Sequence, residues 1–357
     1  MTKIKTFLNY CINFLKRNVI NLITLTFLLL CIFYKPNVSI EAPGGLVNID
    51  ERLSNVVYKS EGSLNLTYVT NYRGNLITVL LAKILPDWNI VKDEDVSNLD
   101  YETLLKAQTI NLYSSISNAT YNAYKEAGVD INIKDTSEYI YYIYPDFAET
   151  SLEIGDKLLK YDDHDFVDSV EFRKYILTKS DGDIINFKVL RNKEESDAYA
   201  KVKTLEDTKA IGVVVYTIFD YENDPDIHYA YKPSEVGSSG GLMLTLSIYN
   251  ALVSEDITKG YTISGTGTID LEGNVGEIAG IKYKILGAAK SKADVFIVPS
   301  SNYEEAEKVV KERKLKIKLI KADNFKQVLE ELSKLWKFFF FLKIKFYIIV
   351  NKGDKSE

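Results

Sequence analysis

The stretch Val236–Met243 (VGSSGGLM) sets two serines among glycines and runs straight into GLMLTLSIYNAL, a mostly apolar segment long enough for three helical turns. A backbone that turns sharply and then enters a helix needs small residues at the turn, and it presents a side chain there beside free backbone N–H groups. Those are the requirements of a nucleophile and its oxyanion hole. Turns of this composition also occur with no chemistry, so a partner group elsewhere has to decide. A companion run, Gly280-Ile281-Lys282-Tyr283-Lys284-Ile285, continues through Leu286 into the small residues Gly287, Ala288 and Ala289 and sets a lysine at the opening of an otherwise apolar helix.

Composition narrows what that partner is. The chain has 357 residues, a formal net charge of -6 and 46% hydrophobic residues, which suits two or three globular units. Its lysines are scattered and its balance acidic, so nucleic acid is excluded as a partner class. Both cysteines, Cys11 and Cys31, fall in the N-terminal leader, leaving the body without thiol, disulfide or cysteine metal site. With only His164 and His228 present, a histidine-rich metal centre is excluded and a Ser-His-Asp triad has one base at most. No G-x-x-x-x-G-K-[ST] occurs, and Asp220–Asp226 carries Pro225 where a calcium loop needs glycine. Neither a cofactor nor a metal is expected.

Val19–Tyr34 is a continuous, largely apolar run, preceded by Lys3, Lys5, Lys16 and Arg17 and followed closely by Lys35 alone. It is slightly short for a bilayer span, but this charge asymmetry predicts an uncleaved transmembrane anchor with everything after residue 35 outside the cytoplasm. No small-x-small cleavage site follows in CIFYKPN, which argues against a signal peptide.

The body then changes rhythm along its length. Ser63–Thr70 alternates as a strand does, Leu76–Leu85 reads as a strand or short helix, and Leu104–Gly128 is helix-like and stopped by its glycine. From Tyr139 to Arg191 the pattern is strand, turn at Pro145–Ala148, the Gly155-Asp156 turn into a second strand, a short helix over Asp168–Ile176, and a third strand. This order resembles a PDZ domain of the bacterial protease type. The resemblance implies a groove that accepts a peptide, often a C-terminus, as an added strand. Ile211–Phe219 is suited to a central strand. The expected boundaries are 1–40 for the anchor, 41–128 for a membrane-proximal α/β region, 129–206 for the PDZ-like domain, 207–334 for the domain containing Ser239, and 335–357 for an apolar, basic tail.

Val236–Met243, Gly265–Val275, Ile278–Lys284 and Ala293–Pro299 form an ordered series. Here the chain resembles the proteolytic domain of the Lon-type (S16) serine peptidases, and more closely the membrane-anchored bacterial members that carry a PDZ domain and no ATPase. The fold class this implies is an α/β (α+β) Lon-type proteolytic domain preceded by a PDZ-like domain and an N-terminal transmembrane helix. The resemblance places the nucleophile at Ser239 and the general base at Lys282, with Thr266 orienting the lysine and the backbone N–H groups of Ser238 and Ser239 forming the oxyanion hole. A lysine serves as base when burial lowers its pKa towards neutrality. The reading that needs no chemistry is an ordinary surface lysine like Lys284. His228 is expected to line or support the site, His164 to be a surface residue, and Glu235 is assigned no chemistry.

Relatives usually read Gly-Pro-Ser-Ala-Gly around the nucleophile, whereas this chain has Gly237-Ser238-Ser239-Gly240-Gly241. Ser238 adjoins Ser239, and only the match in register selects the second. The implied function is an ATP-independent, membrane-anchored serine endopeptidase of the bacterial cell membrane, acting on the extracytoplasmic side. Its expected partners are unfolded or flexible substrates, a C-terminal peptide in the PDZ-like groove, and further copies of itself in a homo-oligomer. The alternative is a weakly active or inactive PDZ-bearing receptor or scaffold. Trp336–Val350 is strongly apolar but cut by Lys343 and Lys345, which suits an interfacial or strand-like tail better than a second span.

Overall fold

The computed structural model describes residues 10, 13–92, 100–232 and 237–335. Lys3 and Lys5 of the basic N-terminus, residues 93–99 of the acidic run Asp93–Asp100 that the sequence places at the surface, Glu235 and the apolar C-terminal tail from residue 336 lie outside the described residues.

The chain divides into two compact units, residues 1–44 with 69–98 and residues 45–68 with 99–357. In the first, helix α1 (Val19–Phe33) carries the apolar leader. Strand β1 (Val38–Asn48) and strand β2 (Ser63–Arg73) each contribute residues to both units. Helix α2 (Leu76–Ile84) starts in a capping box in which Asn75 and Thr78 exchange side-chain and backbone hydrogen bonds. Strand β3 (Asn89–Lys92) pairs antiparallel with the start of β1, Val38 opposite Lys92.

The transmembrane anchor expected at Val19–Tyr34 requires correction. Helix α1 has 15 residues, about 22 Å of rise against the ~30 Å of a bilayer core. Asn18 interrupts the helix immediately before it. No helix among the described residues is long and apolar enough to cross a membrane. The membrane-anchored subclass, the single-pass topology and the extracytoplasmic placement inferred from that anchor fall with it.

In the second unit, helix α3 (Tyr101–Ala127) follows the segments of β1 and β2. Asp100 caps it by accepting from the N–H groups of Glu102 and Thr103, and Gly128 closes it in the left-handed conformation, φ 67°. An antiparallel sheet follows, built from β4 (Ile131–Ile143), β5 (Lys157–Tyr161), β6 (Ile184–Arg191) and β7 (Glu194–Lys201). Helix α4 (Ser169–Thr178), capped by Asp168, covers its core of Ile140, Leu158, Phe172, Ile176, Phe187 and Val189. Strand β8 (Val213–Asn223) pairs antiparallel with β4 and ends the sheet. Ile211–Phe219 reads as a central strand in sequence, yet it forms an edge. Val213–Phe219 are half-buried, so apolar character alone does not distinguish a central strand from an edge lined by other elements.

The rest of this unit is a parallel α/β layer. Helix α5 (Gly241–Leu252) is apolar around most of its circumference and almost wholly buried. Strand β9 (Thr262–Gly265) pairs parallel with β2 on one side and with β10 (Val295–Pro299) on the other, and β10 pairs parallel with β11 (Lys318–Ala322). Along β10, Val295 and Ile297 enter a core with Leu242 and Leu246 of α5. Phe296 and Val298 face the opposite way, with Ile281 and Ile285 of helix α6 (Ile281–Lys290) and Val309 of helix α7 (Tyr303–Arg313). That alternation puts α5 on one face of the sheet and α6 and α7 on the other. Helix α8 (Phe325–Ser333) completes the layer, its first turn capped by Asn324.

Candidate functional site

Ser239 stands in the turn just before the N-cap of α5, and Gly240 is that N-cap. Gly237 has φ +104°, a conformation that favours glycine, so the turn is built on a residue with no Cβ. Gly241 is required by space: a Cβ there would lie 2.7 Å from Ser115 Oγ and 2.9 Å from Ile269 Cγ2. The Ser239 carbonyl is pinned by Gly267 N–H at 2.8 Å and by the Thr266 hydroxyl at 3.0 Å. Thr266 follows the last residue of β9, so the turn is clamped at the carboxyl end of a parallel strand. Open α/β sheets commonly place their sites there.

Lys284 reaches this turn from α6. Its Nζ lies 2.9 Å from Ser239 Oγ and 3.0 Å from Thr266 Oγ1. The side chain is 5% exposed, and burial pushes the amine's pKa down from 10.5 to about 8. No carboxylate pairs with it among the described residues, which leaves desolvation unopposed. The Ser238 and Ser239 backbone N–H groups donate to no acceptor among the described residues.

Lys282, expected to be the base, is not brought to Ser239. It is partly buried, and its Nζ sits 5.6 Å from the centroid of the Tyr283 ring. The reason is angular. Residues two apart on a helix differ by about 200° in direction, so only one of Lys282 and Lys284 faces the serine. The sequence held a signal for the choice. Ile281, Ile285 and Ala288 are the buried stripe of α6, and Lys284 lies on it at the i+3 position, whereas Lys282 lies off it. A lysine that interrupts an apolar stripe is buried with it.

Ser238 adjoins the site through its backbone: its carbonyl accepts from Gly241 N–H at 3.0 Å and from Ser115 Oγ at 3.4 Å. His228 is exposed and bonded to Asp226, Nε2 to Oδ2 2.7 Å. His164 is exposed against the rings of Tyr161 and Tyr175. Neither imidazole contacts Ser239. Among the described residues no group of three or more His, Cys, Asp or Glu is placed to hold a metal ion.

A cavity of about 450 Å³ adjoins the turn and is lined by Ser238, Ser115 and Asn118 of α3, Val215 and Thr217 of β8, and Asp270. A second, of about 540 Å³ and more apolar, lies between α4 and the start of β8, with Phe172, Arg173, Ile176, Ile211 and Val213 in its walls.

The site therefore joins a serine hydroxyl to a desolvated lysine amine on an α/β scaffold. Residues 217–334 match the family model of the Lon protease (S16) C-terminal proteolytic domain, and residues 110–202 match that of the PDZ domain. The Lon protease of Aster yellows witches'-broom phytoplasma is 32% identical over 112 residues, 31% of this chain and 14% of that protein. That of Mycoplasma mycoides is 31% identical over 118 residues, 32% of this chain and 15% of that protein. The chain thus spans about one seventh of the length of these curated relatives. The PDZ domain of the SdrC-like protein from Listeria monocytogenes is 22% identical at a TM-score of 0.22, covering 24% of this chain and 92% of that one. The similarity to Lon proteases is consistent with peptidase activity, and the PDZ match supports a peptide-binding module. The homo-oligomer expected among the partners is supported by neither the comparisons nor the single chain described.

Proposed function

We propose that the protein is a serine peptidase in which Ser239 is the nucleophile and Lys284 the general base. The observation that carries this reading is the 2.9 Å contact between Lys284 Nζ and Ser239 Oγ, made by an amine that burial brings to about pH 8. At neutral pH about a tenth of such an amine is unprotonated, enough to act as a base, whereas an exposed lysine is almost fully charged.

In the neutral state Nζ accepts the Ser239 hydroxyl proton as Oγ attacks the scissile carbonyl. The tetrahedral oxyanion is received by the Ser238 and Ser239 backbone N–H groups at the positive end of α5. As the intermediate collapses, the lysine ammonium returns its proton to the leaving amine, and the acyl group remains on Ser239 as an ester. Water, deprotonated by the same amine, hydrolyses that ester. Thr266 Oγ1 accepts from Nζ and donates to the Ser239 carbonyl, so it fixes amine and turn together.

Cleavage of an unstructured fluorogenic polypeptide by the purified protein, compared with Ser239→Ala, tests the reading. Turnover by the wild type and loss of at least about 10³-fold in the variant supports it. Equal turnover by both sinks it.

A further inference from the structure

The two cavities share a strand. The wall of the larger includes Val213, Val214 and Val215 in succession, and that of the cavity beside Ser238 includes Val215, Tyr216 and Thr217. A cavity on one face of a strand is lined by alternate residues. Successive residues mean that both cavities open on the strand's edge. That edge has no partner strand among the described residues: β8 ends its sheet and pairs as a strand only with β4. Phe219 turns its N–H outward, to Ser117 Oγ at 3.0 Å. By alternation Val213, Val215 and Thr217 turn theirs outward as well. A row of outward donors and acceptors thus leads from the apolar cavity under α4 to the turn that holds Ser239.

We propose that one extended polypeptide substrate adds to this edge, anchored by its C-terminus in the cavity under α4 and threaded along Val213–Thr217 into the cavity at Ser238. It is then cut at a set distance from its end. The proposal rests on the peptidase reading above. The orientation follows from charge: among the described residues Arg173 is the one charged residue in the wall of the larger cavity, and its guanidinium bonds Thr208 Oγ1 at 3.0 Å near the start of β8. A terminal carboxylate suits that end. A strand running antiparallel to β8 from there carries its N-terminal side towards Ser239. Val213 to Thr217 spans about 13 Å at ~3.3 Å per residue, so with the residues that cross the cavity at Ser238 the cut falls roughly six to eight residues from the C-terminus.

The test uses the full chain and a peptide ladder in which one cleavable core is followed by C-terminal extensions of increasing length, each with a free carboxylate or an amide. Mass spectrometry of the products should show the cut moving with the C-terminus and keeping a constant distance from it. Amidation should slow cleavage about five-fold or more, and Arg173→Gln should bring acid and amide to equal rates. A cut that stays with the core sequence at every length, or equal rates for acid and amide in the wild type, overturns the proposal and leaves the peptidase reading standing. Hydrogen exchange on the Ser239→Ala variant gives a readout independent of catalysis. Val213, Val215 and Thr217 amides should gain protection with the free-acid peptide, and unchanged exchange there overturns the docking path. Absence of cleavage of any peptide by the wild type would instead sink the peptidase reading, and the exchange experiment alone would then decide whether a peptide docks on this edge.

Discussion

Lys284 Nζ lies 2.9 Å from Ser239 Oγ, and among the described residues nothing acidic stands beside it to hold its proton. Its pKa is lowered to about 8 by burial, so the reactive neutral amine accumulates as pH rises through that value. Peptidase kcat/KM should therefore climb about ten-fold per pH unit below 8 and level off above it. Initial rates between pH 6 and 10 measure this. A flat profile, or a fall as pH rises through 8, contradicts a lysine base.

Thr266 bridges the pair, accepting from Lys284 and donating to the Ser239 carbonyl. Thr266→Val keeps the shape and removes both bonds, and should lower kcat by about 10–100-fold with KM little changed. Thr266→Ser keeps the hydroxyl and should recover most of the loss. Because Thr266→Val also frees Lys284 Nζ from a neighbour, its pH–rate midpoint should move, a change that a purely structural role does not produce.

Glu138 is buried on β4, where Thr217 Oγ1 donates to its two carboxylate oxygens at 2.9 and 3.0 Å. Desolvation outweighs those bonds and raises its pKa to about 7. A carboxyl whose folded pKa is raised binds its proton more tightly when folded. Its favourable contribution is complete below the unfolded value near 4.5 and is lost as pH rises through 7. Glu138→Gln should therefore stabilise the protein by about 1–3 kcal/mol at pH 8 and far less at pH 5. Denaturant unfolding at the two pH values checks this, and an equal effect at both contradicts it.

Gly240 and Gly241 look alike in sequence and differ in surroundings. A Cβ on Gly240 meets only the tip of the half-buried Leu66 side chain, Cδ2 at 2.9 Å, and that tip is able to swing. A Cβ on Gly241 meets Ser115 Oγ, Ile269 Cγ2 and the Ile269 backbone N at 3.2 Å. Gly240→Ala should cost no more than about 1 kcal/mol and keep activity, whereas Gly241→Ala should cost about 1–3 kcal/mol and displace Ser239. Melting temperatures and peptide turnover of the two variants separate them.

Features written in local chemistry were legible from the sequence. Gly128 ends α3 in a left-handed cap, Asp168 caps α4, and the apolar run after Gly240 is the buried helix α5. Each is a short-range decision between a residue and its own backbone. What needed long-range information was less legible. Val213–Phe219 is apolar enough for a sheet centre, and only the pairing with β4 makes it an edge. Val19–Phe33 is apolar enough for lipid, but at 15 residues it is too short to cross it. Between Lys282 and Lys284, the family-like run of residues names a lysine-bearing helix but not its rotation. The buried stripe of Ile281, Ile285 and Ala288 fixes that rotation and turns Lys284 towards the serine.

The central claim is that Lys284, and not Lys282, is the base for Ser239. The most direct measurement is peptide kcat/KM for Lys284→Met and Lys282→Met beside the wild type, with unfolding curves recorded for each. Lys284→Met should lose about 10²–10⁴-fold in activity. It should unfold no more easily than wild type at pH 7, because it relieves a buried amine of its charge. Lys282→Met should stay within about three-fold of wild type, as expected for a group outside the transition state. Retained activity in Lys284→Met, or its loss in a folded Lys282→Met, would contradict the assignment.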